Sequence, residues 1–473
     1  MPSIARYTLV VVLACAVVLA AAPLGIAADP VAEVFAVELP GEDLVTSPVT
    51  ATIGPSSSDY HVYNIELAAG QVFDVSLDAD VLAGDLDLYL YGPEIESVTG
   101  FEVYLAASQS TDSYPETISY LVPPDGGGTH YVVVRLYQSL RAPMDYTLTW
   151  SVGTSAAHRL AGPDRYSTSI AISRSTFASS DVAVLATGAG YPDALSASAL
   201  AGVLDAPLLL VRDNIEAQAY WDLVAELERL GVSDVYVVGG TAAISNQTAT
   251  HLSDTLGFGL TRLGGDTRYD TARRVADEVA RLASVSGAAV DAAFLVRGDD
   301  FADALASAPY AFSQTMPVLL TRSGSLDPSA AGFIEANDVL DVTVVGGPVA
   351  VSAEVAAQAA ALNGGATVVA RIQGGSRYET AANLAVHAVA ERQWATWGSV
   401  GIATGRTFPD ALSGSTAAGR RGGVLLLTRP SALSEPASDA IAAAGDDVTM
   451  ALVFGGPIVV SETAFDQIAA LMP

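Results

Sequence analysis

Arg159-Leu-Ala-Gly-Pro-Asp-Arg165-Tyr166 returns as Arg262-Leu-Gly-Gly-Asp-Thr-Arg268-Tyr269 and again as Arg371-Ile-Gln-Gly-Gly-Ser-Arg377-Tyr378, the two arginines six residues apart each time. Recurrence at a fixed period marks a chain built of like modules. Three further phrases follow in the same order. An aromatic-x-Asp-Ala-Leu phrase stands at Tyr191-Pro-Asp193, Phe301-Ala-Asp303 and Phe408-Pro-Asp410. An apolar run then ends in arginine, as Leu208-Leu209-Leu210-Val-Arg212, Val318-Leu319-Leu320-Thr-Arg322 and Leu425-Leu426-Leu427-Thr-Arg429. Last come Val237-Val-Gly-Gly240, Val344-Val-Gly-Gly347 and Val453-Phe-Gly-Gly456, each followed five residues on by Ser245, Ser352 or Ser461. Asp193 to Asp303 is 110 residues and Asp303 to Asp410 is 107, so three modules of domain size lie in tandem.

Each module reads as α/β. Short continuous apolar runs such as Val182 to Ala186, Leu208 to Val211 and Val235 to Val238 suit strands covered on both faces. Between them, Ala272, Val275, Ala276 and Val279 fall at i, i+3, i+4 and i+7, the helical spacing. Alternating strands and helices imply a parallel sheet with right-handed crossovers. Ligands of such sheets meet the loops at the carboxyl ends of the strands, where Arg212, Arg322 and Arg429 fall. The Gly-Gly pairs make strand-to-helix turns, and the serines after them stand where a helix N-cap is needed.

Outward from the repeats, residues 33–152 are different in kind. Val62-Tyr-Asn-Ile-Glu-Leu67, Val72-Phe-Asp-Val-Ser-Leu77 and Tyr146-Thr-Leu-Thr-Trp150 alternate at period two, with turn signals at Ala69-Gly-Gln71, Gly92-Pro93 and Pro123-Pro-Asp-Gly-Gly-Gly128. An antiparallel β-sandwich fits this pattern. Asp85 and Asp87 share one strand face and could offer oxygens to calcium, or simply form a solvated acidic face, since calcium wants 6–8 oxygens. At the start, Arg6 precedes an apolar run from Tyr7 to Leu24, and Gly25-Ile-Ala27 supplies a small-x-small pattern. Residues 1–28 therefore read as an export signal, with a retained membrane anchor as the alternative. The single cysteine, Cys15, lies there. Lipid attachment at Cys15 is an open alternative, and disulfides and thiolate metal sites are excluded from the rest.

Composition narrows the function. The 473 residues hold 22 arginines, no lysine and 52 acidic residues, a net charge of −30. Such a field repels polyanions at long range and argues against general nucleic-acid binding. No G-x-S-x-G, P-loop, G-x-G-x-x-G or H-E-x-x-H is present. Ser196 and Ser413 are matched by Ala306 in the second module, and His61, His130, His158, His251 and His387 occupy no repeated position. Neither a nucleophile nor a base is shared by the modules.

The repeated phrases closely resemble the cell wall-binding repeat 2 family over about residues 158–473, as repeats 158–257, 258–366 and 367–473. The resemblance implies Rossmann-like modules packed in a pseudo-threefold arrangement, and non-covalent attachment to the wall of a Gram-positive-type bacterium through anionic wall polymers. It also implies polymer binding near the tripeptides Leu208-Leu209-Leu210, Val318-Leu319-Leu320 and Leu425-Leu426-Leu427. The third copy departs by carrying Val424 where the others have Pro207 and Pro317, and Arg297 replaces Thr187 and Thr404. The preceding segment, at Asp85-Leu-Asp-Leu-Tyr-Leu-Tyr-Gly92 and Gly128-Thr-His-Tyr-Val-Val-Val134, resembles the bacterial pre-peptidase C-terminal domain.

Guanidinium groups give bidentate hydrogen bonds to phosphate or carboxylate, so Arg212, Arg322, Arg429, Arg165, Arg268 and Arg377 are the candidate polymer contacts. Asp193, Asp303 and Asp410 are either internal partners of these arginines or part of the site. Helix N-termini after the Gly-Gly turns would add backbone donors. The expectation is a secreted, wall-associated, non-catalytic protein of S-layer-like type that needs no cofactor. A secreted wall- or glycan-processing hydrolase, or its modifier subunit, is the alternative.

Overall fold

The computed structural model describes residues 41–54, 60–80, 84–93, 95, 104–108, 115–139, 143–153 and 156–472. The export-signal reading of residues 1–28, and Cys15 with it, lies outside these residues.

Two sheets form the amino-terminal domain. One runs Glu42–Asp43, Tyr60–Leu67, Gly128–Ser139, Gly84–Tyr91, Ala106–Ser108, and the other Val49–Ile53, Met144–Gly153, Val72–Ala79, Glu116–Leu121. All pairings are antiparallel except that of the two-residue first strand. Alternation places Phe73, Leu77, Leu86, Leu88, Leu90, Val132, Val134 and Leu148 in one core between the sheets. Asp87 of the expected acidic face is buried and accepts the Tyr89 hydroxyl at 2.9 Å.

The rest of the chain is built on three four-stranded parallel sheets. In spatial order they are Leu208–Val211, Val182–Thr187, Asp234–Val238, Gly259–Leu263; then Val318–Thr321, Ala292–Arg297, Asp341–Val345, Val368–Ile372; then Val424–Thr428, Ser399–Thr404, Met450–Phe454, Ala157–Leu160. The last strand of each sheet comes from the start of another repeat. Ala157–Leu160, which opens the first repeat, pairs with Met450–Phe454, so the chain closes on itself. Sheet units and sequence repeats are therefore out of phase by one strand.

Central helices Ala197–Val203, Ala302–Gln314 and Pro409–Arg420 pack on one another and on the first helix of a neighbouring repeat: Arg268–Val285, Arg377–Ala390 and Arg165–Thr176 respectively. Small residues allow the close approach. A Cβ on Gly202 would lie 2.0 Å from Phe312 O, and one on Gly419 2.7 Å from Pro309 O.

The sandwich is docked on this body. Val72 and Leu121 join the core of the repeat region. Arg420 from the third repeat reaches Asp125 of the sandwich (3.1 Å) and Asp205 of the first repeat (2.8 Å), with its guanidinium 4.4 Å from the Phe177 ring centroid. Beside it, Arg174 donates to Leu105 O at 3.0 Å and to the fully buried Glu226 carboxylate at 3.1 Å.

Candidate functional site

The repeated arginine phrase divides into two jobs. The first arginine of each pair leaves the fourth strand of a sheet and clamps the Gly-Gly turn beside it. Arg262 Nη1 donates to Gly239 O (3.0 Å), Arg371 Nη1 to Gly346 O (2.7 Å) and Arg159 Nη1 to Gly455 O (2.9 Å). These glycines have φ of +120°, +111° and +103°, a region that side chains with a Cβ rarely adopt. The serines after them cap as expected, accepting from Thr248 N (3.3 Å), Val355 N (3.2 Å) and Ala464 N (3.2 Å).

The second arginine opens a helix and points to a shared centre. Nη1 of Arg165, Arg268 and Arg377 donates to Gly188 O, Gly298 O and Gly405 O at 2.6–2.7 Å, each in its own repeat. The same guanidiniums lie over aromatic rings of another repeat: Arg165 over Phe408 (5.8 Å), Arg268 over Tyr191 (5.8 Å), Arg377 over Phe301 (5.5 Å). Tyr191, Phe301 and Phe408 meet edge-to-face in a triangle with centroids 5.4, 5.9 and 6.1 Å apart, a spacing at which such pairs attract. The arrangement makes these arginines cation–π ties between repeats, with Arg165 exposed and Arg268 and Arg377 half-buried. The aromatic phrase was visible in the sequence; that its three copies touch was not.

Two residues beyond each aromatic, the aspartate fills the crevice where strand order reverses, the usual ligand position in open parallel sheets. A Cβ on Gly239 would lie 3.0 Å from Asp193 Oδ2, one on Gly346 2.5 Å from Asp303 Oδ2, and one on Gly455 2.6 Å from Asp410 Oδ2. Burial pushes the Asp410 carboxyl up to about 6, against the pull of Arg165. Burial, helped by the Asp300 carboxylate, pushes Asp303 up to about 6 against Arg377. These aspartates are pillars under the turns.

What remains open is the edge beyond the second strand. Arg212, Arg322 and Arg429 are all exposed there. The guanidinium of Arg322 stands 4.7 Å from the Tyr269 ring centroid, and that of Arg429 5.8 Å from Tyr378. The tripeptides before them do not present a surface: Leu208, Leu209, Leu210, Val318, Leu319, Leu320, Leu425, Leu426 and Leu427 are at most 1% exposed. Continuous apolar runs belong to strands covered on both faces. At the helix N-termini after the Gly-Gly turns the N–H of the cap serine is already taken. Ser245 N donates to Asp213 Oδ1 (3.0 Å), Ser352 N to Ser323 O (2.8 Å) and Ser461 N to Pro430 O (2.8 Å).

The pattern of cell wall binding domain 2 matches residues 159–249, 262–356 and 371–465, more than half of the chain. The chain belongs to the cell wall binding domain 2 family. Its three cell wall binding domains are the three repeats just described. The N-acetylmuramoyl-L-alanine amidase LytC of Bacillus subtilis (strain 168) is 30% identical over 284 residues, 60% of this chain and 52% of LytC. The chain thus spans about half the length of that relative. Among solved structures, Cwp8 from Clostridium difficile (TM-score 0.58, 23% identity) covers 67% of this chain and 52% of its own, and Cwp6 from Clostridium difficile (TM-score 0.59, 18% identity) covers 88% and 68%. Both share the fold of this chain over those stretches. Among the described residues no helix is long and apolar enough to cross a membrane.

Proposed function

We propose that this chain is a secreted, non-catalytic surface protein held non-covalently to the cell wall by its three cell wall binding domains, through anionic wall polymers. In this reading the domains are Rossmann-like modules in a pseudo-threefold arrangement, residues 158–257, 258–366 and 367–473. The sandwich, residues 33–152 and of pre-peptidase C-terminal type, is the part displayed. The observation that carries the reading is the recurrence, three times on one body, of an exposed arginine at a strand end whose neighbouring crevice is filled by the protein itself. Repeated weak contacts to a repeating polymer multiply, with gains of ~10²–10⁴ over one site. The repeat region has 33 acidic residues against 19 arginines, so attraction rests on these local cations, on salt screening or on bridging ions.

Three of the residues offered by an enzymatic reading, Ser196, His251 and His61, are engaged locally. Ser196 Oγ donates to Asp193 O, His251 Nδ1 shares a hydrogen bond with the Tyr220 hydroxyl (2.8 Å), and His61 Nδ1 shares one with Tyr146 (2.6 Å).

Replacing Arg212, Arg322 and Arg429 together by Gln tests the assignment. Retention on purified wall sacculi is expected to fall while the melting temperature stays nearly unchanged, because all three side chains are exposed. A large thermal loss with unaltered retention would make these arginines structural and end the proposal.

A further inference from the structure

The three exposed arginines do not sit in equal surroundings. Arg212 is followed by Asp213, whose carboxylate is fixed in the same loop by Ser245 Oγ (2.7 Å) and Thr248 Oγ1 (2.6 Å), with an exposed Glu216 three residues on. In the second repeat the buried Asp327 stands 3.4 Å from Arg322 Nε, and Arg297 is paired with Asp299. The third repeat lacks all of these carboxylates. Pro430 occupies the place of Asp213, and Ser434 that of Asp327. Where the first repeat has Ala189 and the second Asp299, directly after the glycine that ends the first strand, the third has Arg406.

Register places Arg406 beside Arg429. Ser399–Thr404 and Val424–Thr428 are paired parallel with Thr404 opposite Thr428, and Gly405 N donates to Thr428 O at 2.8 Å. The two arginines therefore leave the carboxyl ends of neighbouring strands, about 4.8 Å apart at that level. Tyr378 lies against both ends: a Cβ on Gly405 would be 2.8 Å from its ring, and its centroid is 5.8 Å from the Arg429 guanidinium. Both arginines are exposed, and no acidic side chain among the described residues forms an ion pair with either. Asp410 is on the far side of the first strand, over Gly455. The result is two exposed arginines at neighbouring strand ends, Arg429 over Tyr378, with no ion-pair partner among the described residues, the chemistry that receives a phosphate or carboxylate.

We propose that the third repeat, through Arg406 and Arg429 at the ends of neighbouring strands, is the principal anion-gripping site, and that the first two repeats add weaker contacts to it. This rests on the wall-polymer reading above and adds the site on which it turns. The first repeat has other work, since Arg174 and Asp205 hold the sandwich and the third repeat.

The test is co-sedimentation of the full chain with sacculi that retain their anionic polymers. Arg406→Gln/Arg429→Gln is expected to lose ~10-fold or more in affinity, from two charge-assisted contacts, whereas Arg212→Gln and Arg322→Gln each stay within about twofold. The double lysine variant, Arg406→Lys/Arg429→Lys, should keep part of the lost affinity by keeping the charge. Equal losses in all three repeats would overturn the inequality and leave the polymer reading standing. Equal binding of the unaltered chain to sacculi stripped of those polymers would overturn both.

Discussion

At the scale of single residues, the aspartate that fills each crevice and the glycine it rests against make a matched pair. Gly455, at φ +103°, has room for no Cβ: one would meet Asp410 Oδ2 at 2.6 Å and Val459 Cγ2 at 2.5 Å. Gly455→Ala is expected to cost about 1–3 kcal/mol of stability, measured by denaturant unfolding; no measurable change would mean that the turn relaxes freely. The buried carboxyl has a pH consequence. Its folded value of about 6 lies above the ordinary 3.8, so the native state holds the proton more tightly than the unfolded chain. The contribution of Asp410 is therefore fully present at pH below the unfolded value and is lost as pH rises through about 6. Comparing unfolding midpoints of the unaltered chain and Asp410→Asn between pH 4 and 7 isolates it. The variant should gain relative stability as pH rises, by up to about 3 kcal/mol for two pH units. Parallel profiles would contradict the assignment.

At the scale of elements, the parallel strands, the helix between each pair and the serine caps were all legible, because each signal is local: a continuous apolar run, a helical spacing, a Ser five residues past Gly-Gly. The strand exchange was not. Ala157–Leu160 pairs with Met450–Phe454, and nothing in a four-residue edge strand names a partner so far along the chain. The tripeptides were assigned to polymer contact by resemblance, while their own unbroken apolarity pointed to burial. Arg406 carries no repeated signal, because it stands where the repeat breaks. Among these element-level ties the clamping arginines are the most consequential. Arg371→Met removes the donor to Gly346 O (2.7 Å) and Ser352 O (3.2 Å), and should cost about 1–3 kcal/mol. Thermal unfolding checks it, and an unchanged melting temperature would show the clamp to be idle.

At the scale of the whole molecule, the chain closes into one body through that exchanged strand, the aromatic triangle and the docked sandwich. A fragment beginning at residue 162 leaves Met450–Phe454 paired with Ser399–Thr404 alone, whereas one beginning at residue 156 keeps its outer neighbour as well. The shorter fragment should melt lower by about 5 °C or more, as a loss of about 2–3 kcal/mol implies; equal melting would mean the third sheet is complete without the strand. The proposed function has this closed body, with exposed arginines along its outer strand ends, hold a polymer without transforming it. The most direct measurement of that claim is equilibrium co-sedimentation of the full chain with purified sacculi before and after chemical removal of their anionic polymers. Strong, salt-sensitive binding to the intact sacculi and its loss on the stripped ones is the predicted result, and undiminished binding to the stripped sacculi would contradict it.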